Sequence, residues 1–215
     1  MKQFYVRIVQ LIAGLFVCAV GMAFTINARI GYSPWDAFHA GVAKTVGITI
    51  GTASISLGVL ILAIVILLGE KIGIGSILNM ILFGTFLDLV LGKIPVASNY
   101  ITGALMMVLG MIIFSFGTYL YILAAFGAGP RDSLMVALSR KTGLPVGLCR
   151  GIIEFFAALA GWRLGGMIGF GTIFFAALIG FFIQTTFKLL NFDPTKIEHE
   201  TIDVTIKKHF RARSV

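Results

Sequence analysis

The sequence predicts an all-α membrane protein with six transmembrane helices, arranged as two inverted repeats of three helices, each repeat with a short interfacial or re-entrant helix. Three observations lead to this fold class. Of the 215 residues, 58% are hydrophobic and only 12% are charged, which lies far outside the range of soluble globular domains. The apolar residues gather in stretches of about membrane-spanning length. Glycines and helix-starting residues recur at a fixed offset of 96 positions.

Six apolar stretches approach the roughly 20 residues that a helix needs to cross a hydrocarbon core. They cover residues 8–28, 51–68, 74–91, 101–125, 146–164 and 170–190. Three stretches fall in each copy of the repeat. The chain is therefore divided into a first membrane repeat (1–98), a second membrane repeat (99–190) and a polar cytosolic tail (191–215) that is too short to be a domain.

The repeat retains residues that determine backbone geometry. Its first copy contains Gly14, Gly21, Gly31, Pro34, Asp36, Gly47, Gly51, Gly69, Gly73, Gly75 and Gly84, and each of these residue types recurs 96 positions later without a gap. Most side chains between these positions differ between the copies. A duplicated structural unit is expected to retain backbone geometry in this way.

The number of spans in each repeat predicts their relative orientation. Because three is odd, a second copy that follows the first directly must enter the bilayer from the opposite side, which gives inverted repeats. Lys and Arg collect on the cytoplasmic side of membrane proteins. With both termini inside, only Arg29, Lys44, Lys93 and Arg163 would face outside. We therefore expect a multi-pass membrane protein with a cytoplasmic N-terminus and C-terminus.

One apolar segment in each repeat is too short to span the bilayer, and both segments are typical of short capped helices. The matched residues are Ser33 and Gly129 at the N-cap, Pro34 and Pro130 at the first helical position, Asp36 and Asp132 at the third, and Gly47 and Gly143 at the C-terminal end. The sequence leaves open whether segments 33–46 and 129–142 lie at the interface or enter the membrane as re-entrant helices.

A second pair of helix starts follows at Gly73 and Gly169, where Ser76 and Thr172 are capping candidates. Four capped helix N-termini in inverted pairs are typical of a site that binds an anion or a carboxylate. Helix capping alone explains the same residue types. Both interpretations stay open at this level.

Charged residues inside apolar spans are costly, so they are candidates for function. Glu154 lies about nine residues into the fifth span, and Arg150 precedes it by one turn. The two form an i, i+4 pair that is either purely structural or part of a substrate or proton site. Their counterparts in the first repeat are Ser54 and Gly58, small residues toward which we expect the pair to project.

Further polar residues complete the candidate substrate-binding or coupling set. Asp36, Asp132, Arg131 and Ser33 lie at the starts of the short helices, and Asn79 lies in the third span. Arg131 and Arg150 favour a small anionic or zwitterionic solute, and Glu154 with Asp36 or Asp132 would be proton-coupling groups.

Structural roles are the preferred interpretation for Asp88 and Asn79. Asp88 lies near the end of its span, and Asn79 lies within a turn of Ser76. On the first short helix, Trp35 is typical of an interfacial anchor, whereas His39 is a candidate for a proton role.

Several classes of function are disfavoured. The net charge of +8 lies in inside loops and in the tail, as the positive-inside rule requires, so we expect no nucleic-acid partner. Cys18 and Cys149 lack metal-binding or disulfide spacing, and we expect no metal and no cofactor. The sequence contains no HExxH, GxSxG or Walker motif, so an enzyme is not expected and any transport would be secondary or passive.

Three runs of sequence resemble a known family: GYSPWDAFHAG from residue 31, IGIGSILNM from residue 72 and GAGPRDSLMVAL from residue 127. They look like the YczE/YyaS/YitT group of bacterial integral membrane proteins, closest to its YczE-type members, over about residues 5–190. The resemblance implies a multi-pass protein of the bacterial cytoplasmic (inner) membrane and brings no substrate or reaction. We expect this chain to differ from the longer YitT-type proteins in lacking the soluble C-terminal domain that they carry.

Three functional hypotheses follow. A small secondary transporter or channel is favoured by inverted repeats, half-length helices and an ionisable residue near the midplane. A non-transporting membrane scaffold or accessory protein is the alternative, and an integral membrane enzyme ranks third. The expected partners are membrane lipid, a small-molecule solute and a second copy of the chain in a homodimer, since glycine spacings permit close helix contacts.

Overall fold

The computed structural model describes residues 2–209, with side chains between residues 3 and 205. All regular structure in this range is helical. The longer helices are α1 (Lys2–Asn27), α3 (Ile50–Leu67), α4 (Ile74–Leu91), α5 (Tyr100–Leu123), α7 (Val146–Arg163) and α8 (Phe170–Leu189). The shorter helices are α2 (Pro34–Val46), α6 (Pro130–Thr142) and α9 (Ile202–His209), and a single 3-10 turn covers Pro194–Lys196.

Five helices are long and apolar enough to cross a membrane alone, namely α1, α3, α4, α5 and α8. Helix α7 carries three charged residues and is not a candidate membrane span alone. It is a candidate only together with α6, from which a bend of 119° separates it. The described chain thus has five spans, or six when the bent pair is counted. The prediction of an all-helical, multi-pass protein is confirmed, and the count of six stays a prediction.

The two short helices lie where the sequence predicts them. The Ser33 hydroxyl accepts a hydrogen bond from the backbone N–H of Asp36 at 3.2 Å, and Gly129 takes the same position before α6 without a side-chain cap. Gly47 and Gly143 end the helices with φ values of +77° and +72°, a conformation that glycine adopts without steric cost. Local chemistry therefore fixes the start of α2 and the C-terminal ends of both helices.

The caps of α4 and α8 differ from the prediction in position. Gly73 and Gly169 are the N-cap residues, and Ser76 and Thr172 occupy the third helical position. Their hydroxyls accept hydrogen bonds from the N–H groups of the cap glycines, at 3.3 Å for Gly73 and 3.2 Å for Gly169. The side chains reach back to the start of the helix, as in a capping box.

Helices α1 and α5 cross in close contact and run antiparallel. Gly14 lies against Gly117 and Tyr121, whereas Gly21 lies against Gly110. A Cβ on Gly117 would come within 2.5 Å of the Cys18 backbone nitrogen. Glycines seven residues apart on each helix thus let the two backbones approach without intervening side chains.

Contacts between the two repeats are reciprocal. The Gly75 N–H donates to the Phe126 carbonyl at 2.7 Å, and the Gly171 N–H donates to the Ile30 carbonyl at 2.8 Å. Each residue of the second contact is related to one of the first by 96 positions. Each short helix also packs on a helix of the other repeat: α2 packs on α7, and α6 packs on α3. The main buried core lies between α1, α4, α5 and α8.

The tail, residues 191–205, folds back on the helix ends. The Glu200 N–H donates to the Ala125 carbonyl at 2.9 Å, and the Ile202 N–H donates to the Ile72 carbonyl at 3.1 Å. These bonds join the tail to the end of α5 and to the start of α4. The tail has no counterpart in the first repeat, so it covers only one end of the molecule.

Candidate functional site

A cavity of about 180 Å³ lies inside the helix bundle. Side chains from all eight helices α1–α8 line it, so both repeats contribute to its wall. The residues that the sequence singles out are not scattered over the protein. Those that line the cavity are Ser33, Asn79, Arg131, Asp132, Arg150 and Glu154. Asp36 lies directly behind this wall and is completely buried.

Arg150 and Glu154 form the predicted pair on α7. The Arg150 Nε donates to Glu154 Oε1 at 2.9 Å, with side-chain exposures of 42% and 19%. Ser54 and Gly58 line the same cavity from α3. The pair and its small counterparts therefore face one common space.

Arg131 reaches across the cavity from α6 to the first short helix. Its Nη2 lies 3.3 Å from Nε2 and 3.4 Å from Nδ1 of His39, and its guanidinium carbon lies 5.0 Å from the centre of the Trp35 ring. This placement gives a cation–π contact. Among the described residues, no carboxylate oxygen lies within 4.0 Å of the Arg131 guanidinium. Most of its hydrogen-bond donors are thus left for another ligand.

Behind Arg131, the start of α2 forms a closed polar cluster. Ser33 Oγ donates a short hydrogen bond to Asp36 Oδ2, and His39 Nδ1 lies 3.6 Å from Asp36 Oδ1. Asp36 and His39 are 0% and 1% exposed. Burial of a carboxylate is costly without partners, and here the Ser33 hydroxyl supplies one for Oδ2. Oδ1 faces the imidazole but has no hydrogen-bond partner among the described residues. The cluster holds the His39 ring toward Arg131.

Asp132 has a different environment, although it is the counterpart of Asp36. The Tyr121 hydroxyl accepts a hydrogen bond from the Gly129 N–H at 2.8 Å and lies 3.5 Å from Asp132 Oδ2. In the described part of the chain, no basic nitrogen lies within 4.0 Å of the Asp132 carboxylate. Asp132 is exposed, whereas Asp36 is buried. The cavity is therefore open at α6 and closed at α2.

The tail approaches the open end of the cavity. His199 lies close enough to Asp132 for the two charges to interact. Partial burial lowers the pKa of His199, and the negative charge of Asp132 opposes that change. The neutral imidazole is thus the form that the docked tail favours.

Asp88 and Asn79 have different roles. Asp88 accepts hydrogen bonds from the Gly51 N–H, at 2.8 Å, and from the Thr49 hydroxyl, so it caps the start of α3. Asn79 lies on the cavity wall near Gly129, whereas Ser76 makes the hydrogen bonds at the start of α4. The structural interpretation fits Asp88 and does not describe Asn79.

Sequence reasoning missed Tyr121. It stands at the end of the fourth apolar stretch, where an aromatic belt residue is the ordinary interpretation. Its hydroxyl instead bonds the residue before α6 and faces Asp132. The signal available in the sequence was its counterpart, Thr25, a polar residue inside the first apolar stretch.

The candidate site is built from nitrogen and oxygen groups suited to charged organic solutes. Among the side chains described, between residues 3 and 205, no group of three or more His, Cys, Asp or Glu residues is arranged to hold a metal ion. Two residues of the cavity wall are basic, Arg131 and Arg150, and two are acidic, Asp132 and Glu154. Such a wall can bind a carboxylate and an ammonium group at the same time.

Comparison with known proteins agrees with the resemblance seen in the sequence. The model of a family of unknown function, DUF6198, matches residues 5–188. The chain is 39% identical over 186 residues to the uncharacterized membrane protein YczE of Bacillus subtilis, covering 84% of this chain and 86% of YczE. It is 29% identical to an uncharacterized protein of Haemophilus influenzae, covering 84% and 83% of the two chains.

A more distant relative is the uncharacterized protein YyaS of Bacillus subtilis, with 23% identity over 80% of this chain and 87% of YyaS. No solved structure matches the chain. The family match covers most of the chain and includes all the cavity-lining residues. The chain therefore belongs to the DUF6198 family and is a membrane protein similar to YczE.

Proposed function

We propose that the protein is a secondary transporter or channel for a small solute, and that a zwitterionic solute fits its cavity best. The observation that carries the proposal is the pair of opposite charges on one cavity wall. Arg131 has no carboxylate partner and Asp132 has no cationic partner within 4.0 Å among the described residues. A solute with one carboxylate and one ammonium group satisfies both.

The size of the cavity supports a small solute. A volume of about 180 Å³ corresponds to roughly six water molecules at about 30 Å³ each. Cavities of about 150 Å³ accommodate a molecule the size of benzene. The cavity is thus suited to a solute of amino-acid size.

The contacts between the repeats support an inverted arrangement. Helices α1 and α5 occupy equivalent positions in the two copies, and they cross antiparallel through Gly14, Gly21, Gly110 and Gly117. Two equivalent helices that run antiparallel require an axis perpendicular to both, which lies in the membrane plane when the helices span it. Transporters built in this way bind solute between their repeats. The charge bias of the loops favours both termini in the cytoplasm.

A binding experiment tests the proposal. Thermal unfolding of the detergent-purified protein is measured with amino acids, with matched monocarboxylates and with matched alkylamines. We expect amino acids to raise the melting temperature more than either partial analogue, because only they engage both charges. Asp132→Asn, Arg131→Gln and Glu154→Gln should remove the effect.

Arg140→Gln is the matched control, since Arg140 pairs with Glu70 outside the cavity at 3.0 Å. Stabilisation by monocarboxylates alone would replace a zwitterion with an anion as the solute. If no compound of the three classes stabilises the wild type, and Glu154→Gln changes only the baseline stability, the transporter proposal fails and the scaffold role takes its place.

A further inference from the structure

The seam between α3 and α4 is closed near the start of α3. Gly51 and Gly84 meet backbone to backbone, and a Cβ on Gly84 would lie 2.6 Å from the Gly51 carbonyl oxygen. Asp88 also stabilises this seam, because its carboxylate accepts hydrogen bonds from the Gly51 N–H at 2.8 Å and from the Thr49 hydroxyl. Other residues of the same two helices, Gly58 on α3 and Met80 and Phe83 on α4, line the cavity.

The equivalent seam between α7 and α8 is open. Adding 96 to 51, 84 and 88 gives Gly147, Gly180 and Gln184. A Cβ on Gly147 or on Gly180 would meet no atom within 4 Å. Gln184 is exposed, and its side chain has no hydrogen-bond partner within the described part of the chain. The second repeat thus has a residue equivalent to each seam residue of the first, but these residues do not form a closed seam.

These residues have no packing role in the open seam. Glycine inside a helix costs about 0.5–1 kcal/mol relative to alanine, and neither Gly147 nor Gly180 needs its small size or a positive φ here. The Gln184 amide oxygen is able to accept from the Gly147 N–H as Asp88 accepts from the Gly51 N–H. A conformation in which α7 and α8 are in contact would use all three residues.

A second pair of counterparts has complementary sizes. On the closed seam, Gly58 of α3 faces the Met80 side chain of α4, and a Cβ on Gly58 would come within 2.6 Å of Met80 Cγ. The equivalent positions are Glu154 and Ala176. Each of these two pairs combines a large residue with a small one, with the order exchanged. The α7–α8 seam is therefore able to close without a steric clash at Glu154.

We propose that the protein has a second conformation in which the two seams exchange states. In it, α7 and α8 close through Gly147 and Gly180 with Gln184 capping α7, while the α3–α4 seam opens. The cavity would then be exposed at its other end, as alternating access requires. This inference rests on the proposed transport function and its inverted repeats.

Disulfide formation across the open seam tests the second conformation. On the closed seam, a Cβ on Gly51 would lie 2.5 Å from Asp88 Cγ, so cysteines at the two equivalent positions would bring their sulfurs together after closure. The double variant Gly147→Cys with Gln184→Cys is made in a Cys18→Ala, Cys149→Ala background. It is reconstituted in phospholipid vesicles and oxidised with copper phenanthroline. The linked peptide is quantified by mass spectrometry.

Two controls separate closure from random collision. The pair Gly147→Cys with Ile173→Cys joins α7 to the far part of α8 and should form a disulfide at least tenfold more slowly. Gly180→Leu added to the test pair should suppress the disulfide, because the leucine fits the open seam and blocks its closure. Gly92→Leu, at another glycine with no atom within 4 Å of its Cβ, should leave the rate unchanged.

A test pair that reacts no faster than the control pair, or a rate that Gly180→Leu leaves unchanged, would overturn the inference. Failure of the transport proposal would give a different combination of results. If the disulfide forms and Gly180→Leu suppresses it while no solute stabilises the protein, the second conformation stands and the transport function falls. If a solute binds in the cavity and the disulfide does not form, the transport function stands and the second conformation falls.

Discussion

Arg7 on α1 and Glu200 on the tail form an ion pair with an N–O distance of 2.8 Å across 193 residues of sequence. The same guanidinium donates to the carbonyl oxygens of Ala124 at 2.9 Å and Ala125 at 3.3 Å, which lie just beyond the end of α5. One arginine thus joins the start of the first repeat, the end of α5 and the tail. The contact holds the tail at the open end of the cavity.

Replacing Arg7 should release the tail. In Arg7→Gln, we expect hydrogen exchange at the Glu200 and Ile202 amides to accelerate at least about tenfold, because charge-assisted hydrogen bonds contribute about 1.5–3 kcal/mol. Exchange is measured by mass spectrometry in detergent. Lys196→Gln is the control, since Lys196 is 82% exposed and its pair with Asp193 contributes little. Equal exchange in Arg7→Gln and wild type would show that the tail docks without this contact.

Asp88 should stabilise the α3–α4 seam as a helix cap. Asp88→Ala leaves the Gly51 N–H without its acceptor and should lower the free energy of unfolding by about 1–2 kcal/mol. Asp88→Asn retains an acceptor oxygen and should cost less. Thr85→Ala, which removes a hydroxyl bonded within α4 to Ile81, should have little effect. A similar loss in all three variants would contradict a capping role.

The α1–α5 crossing should tolerate no side chain. In Gly117→Ala, the new Cβ would come within 2.5 Å of the Cys18 nitrogen, so the helices must move apart. Overpacking of this kind costs about 1–3 kcal/mol, more than the gain in helix propensity. Gly180→Ala, in open space, should be neutral or slightly stabilising in the same unfolding assay. Unchanged stability of Gly117→Ala would show that the two helices pack loosely.

The Arg150–Glu154 pair should contribute little to stability. Because Arg150 is 42% exposed, solvent screens the attraction, and a double-mutant cycle with Arg150→Gln and Glu154→Gln should give a coupling below about 1 kcal/mol. Thermal or denaturant unfolding of the four proteins measures it. A coupling of about 3 kcal/mol or more would indicate a desolvated structural pair and would favour the purely structural interpretation.

Docking of the tail should weaken at acidic pH through His199. Its pKa in the docked state is lowered by burial, so the docked tail takes up a proton less readily than the free tail. The stabilising contribution is complete above the ordinary value of 6.5 and is lost as the pH falls below it. Exchange at the Ile202 amide, corrected for its intrinsic pH dependence, should therefore be faster at acidic than at neutral pH. His199→Gln should remove this difference, and a difference that persists would assign it to another group.

Much of the local structure follows from the sequence. The short helices at residues 34–46 and 130–142 were predictable because proline, aspartate and glycine act within one or two turns of their own positions. The Arg150–Glu154 pair follows from the i, i+4 spacing alone. The positions of the spans follow from hydrophobicity, with errors of a few residues at their ends.

The candidate site was only partly predictable. The sequence indicates which side chains are too polar for an apolar span, but it gives no information on which of them share a cavity. Arg131 on α6 meets His39 on α2 across 92 residues, and Tyr121 bonds the residue before α6 while also lying near Asp132. Such contacts depend on how distant helices pack, which no local pattern encodes.

The sequence by itself determined that this is a helical, multi-pass membrane protein with an internal repeat, because hydrophobicity and backbone-specific residues act locally and recur at a fixed offset. Only the tertiary structure decided that the two copies are used differently. Gly51 touches Gly84 while Gly147 and Gly180 stand apart, and Asp36 is buried while Asp132 is exposed. Equivalent sequences adopt different contacts here because packing between distant helices, rather than local propensity, closes one side of the cavity and leaves the other open.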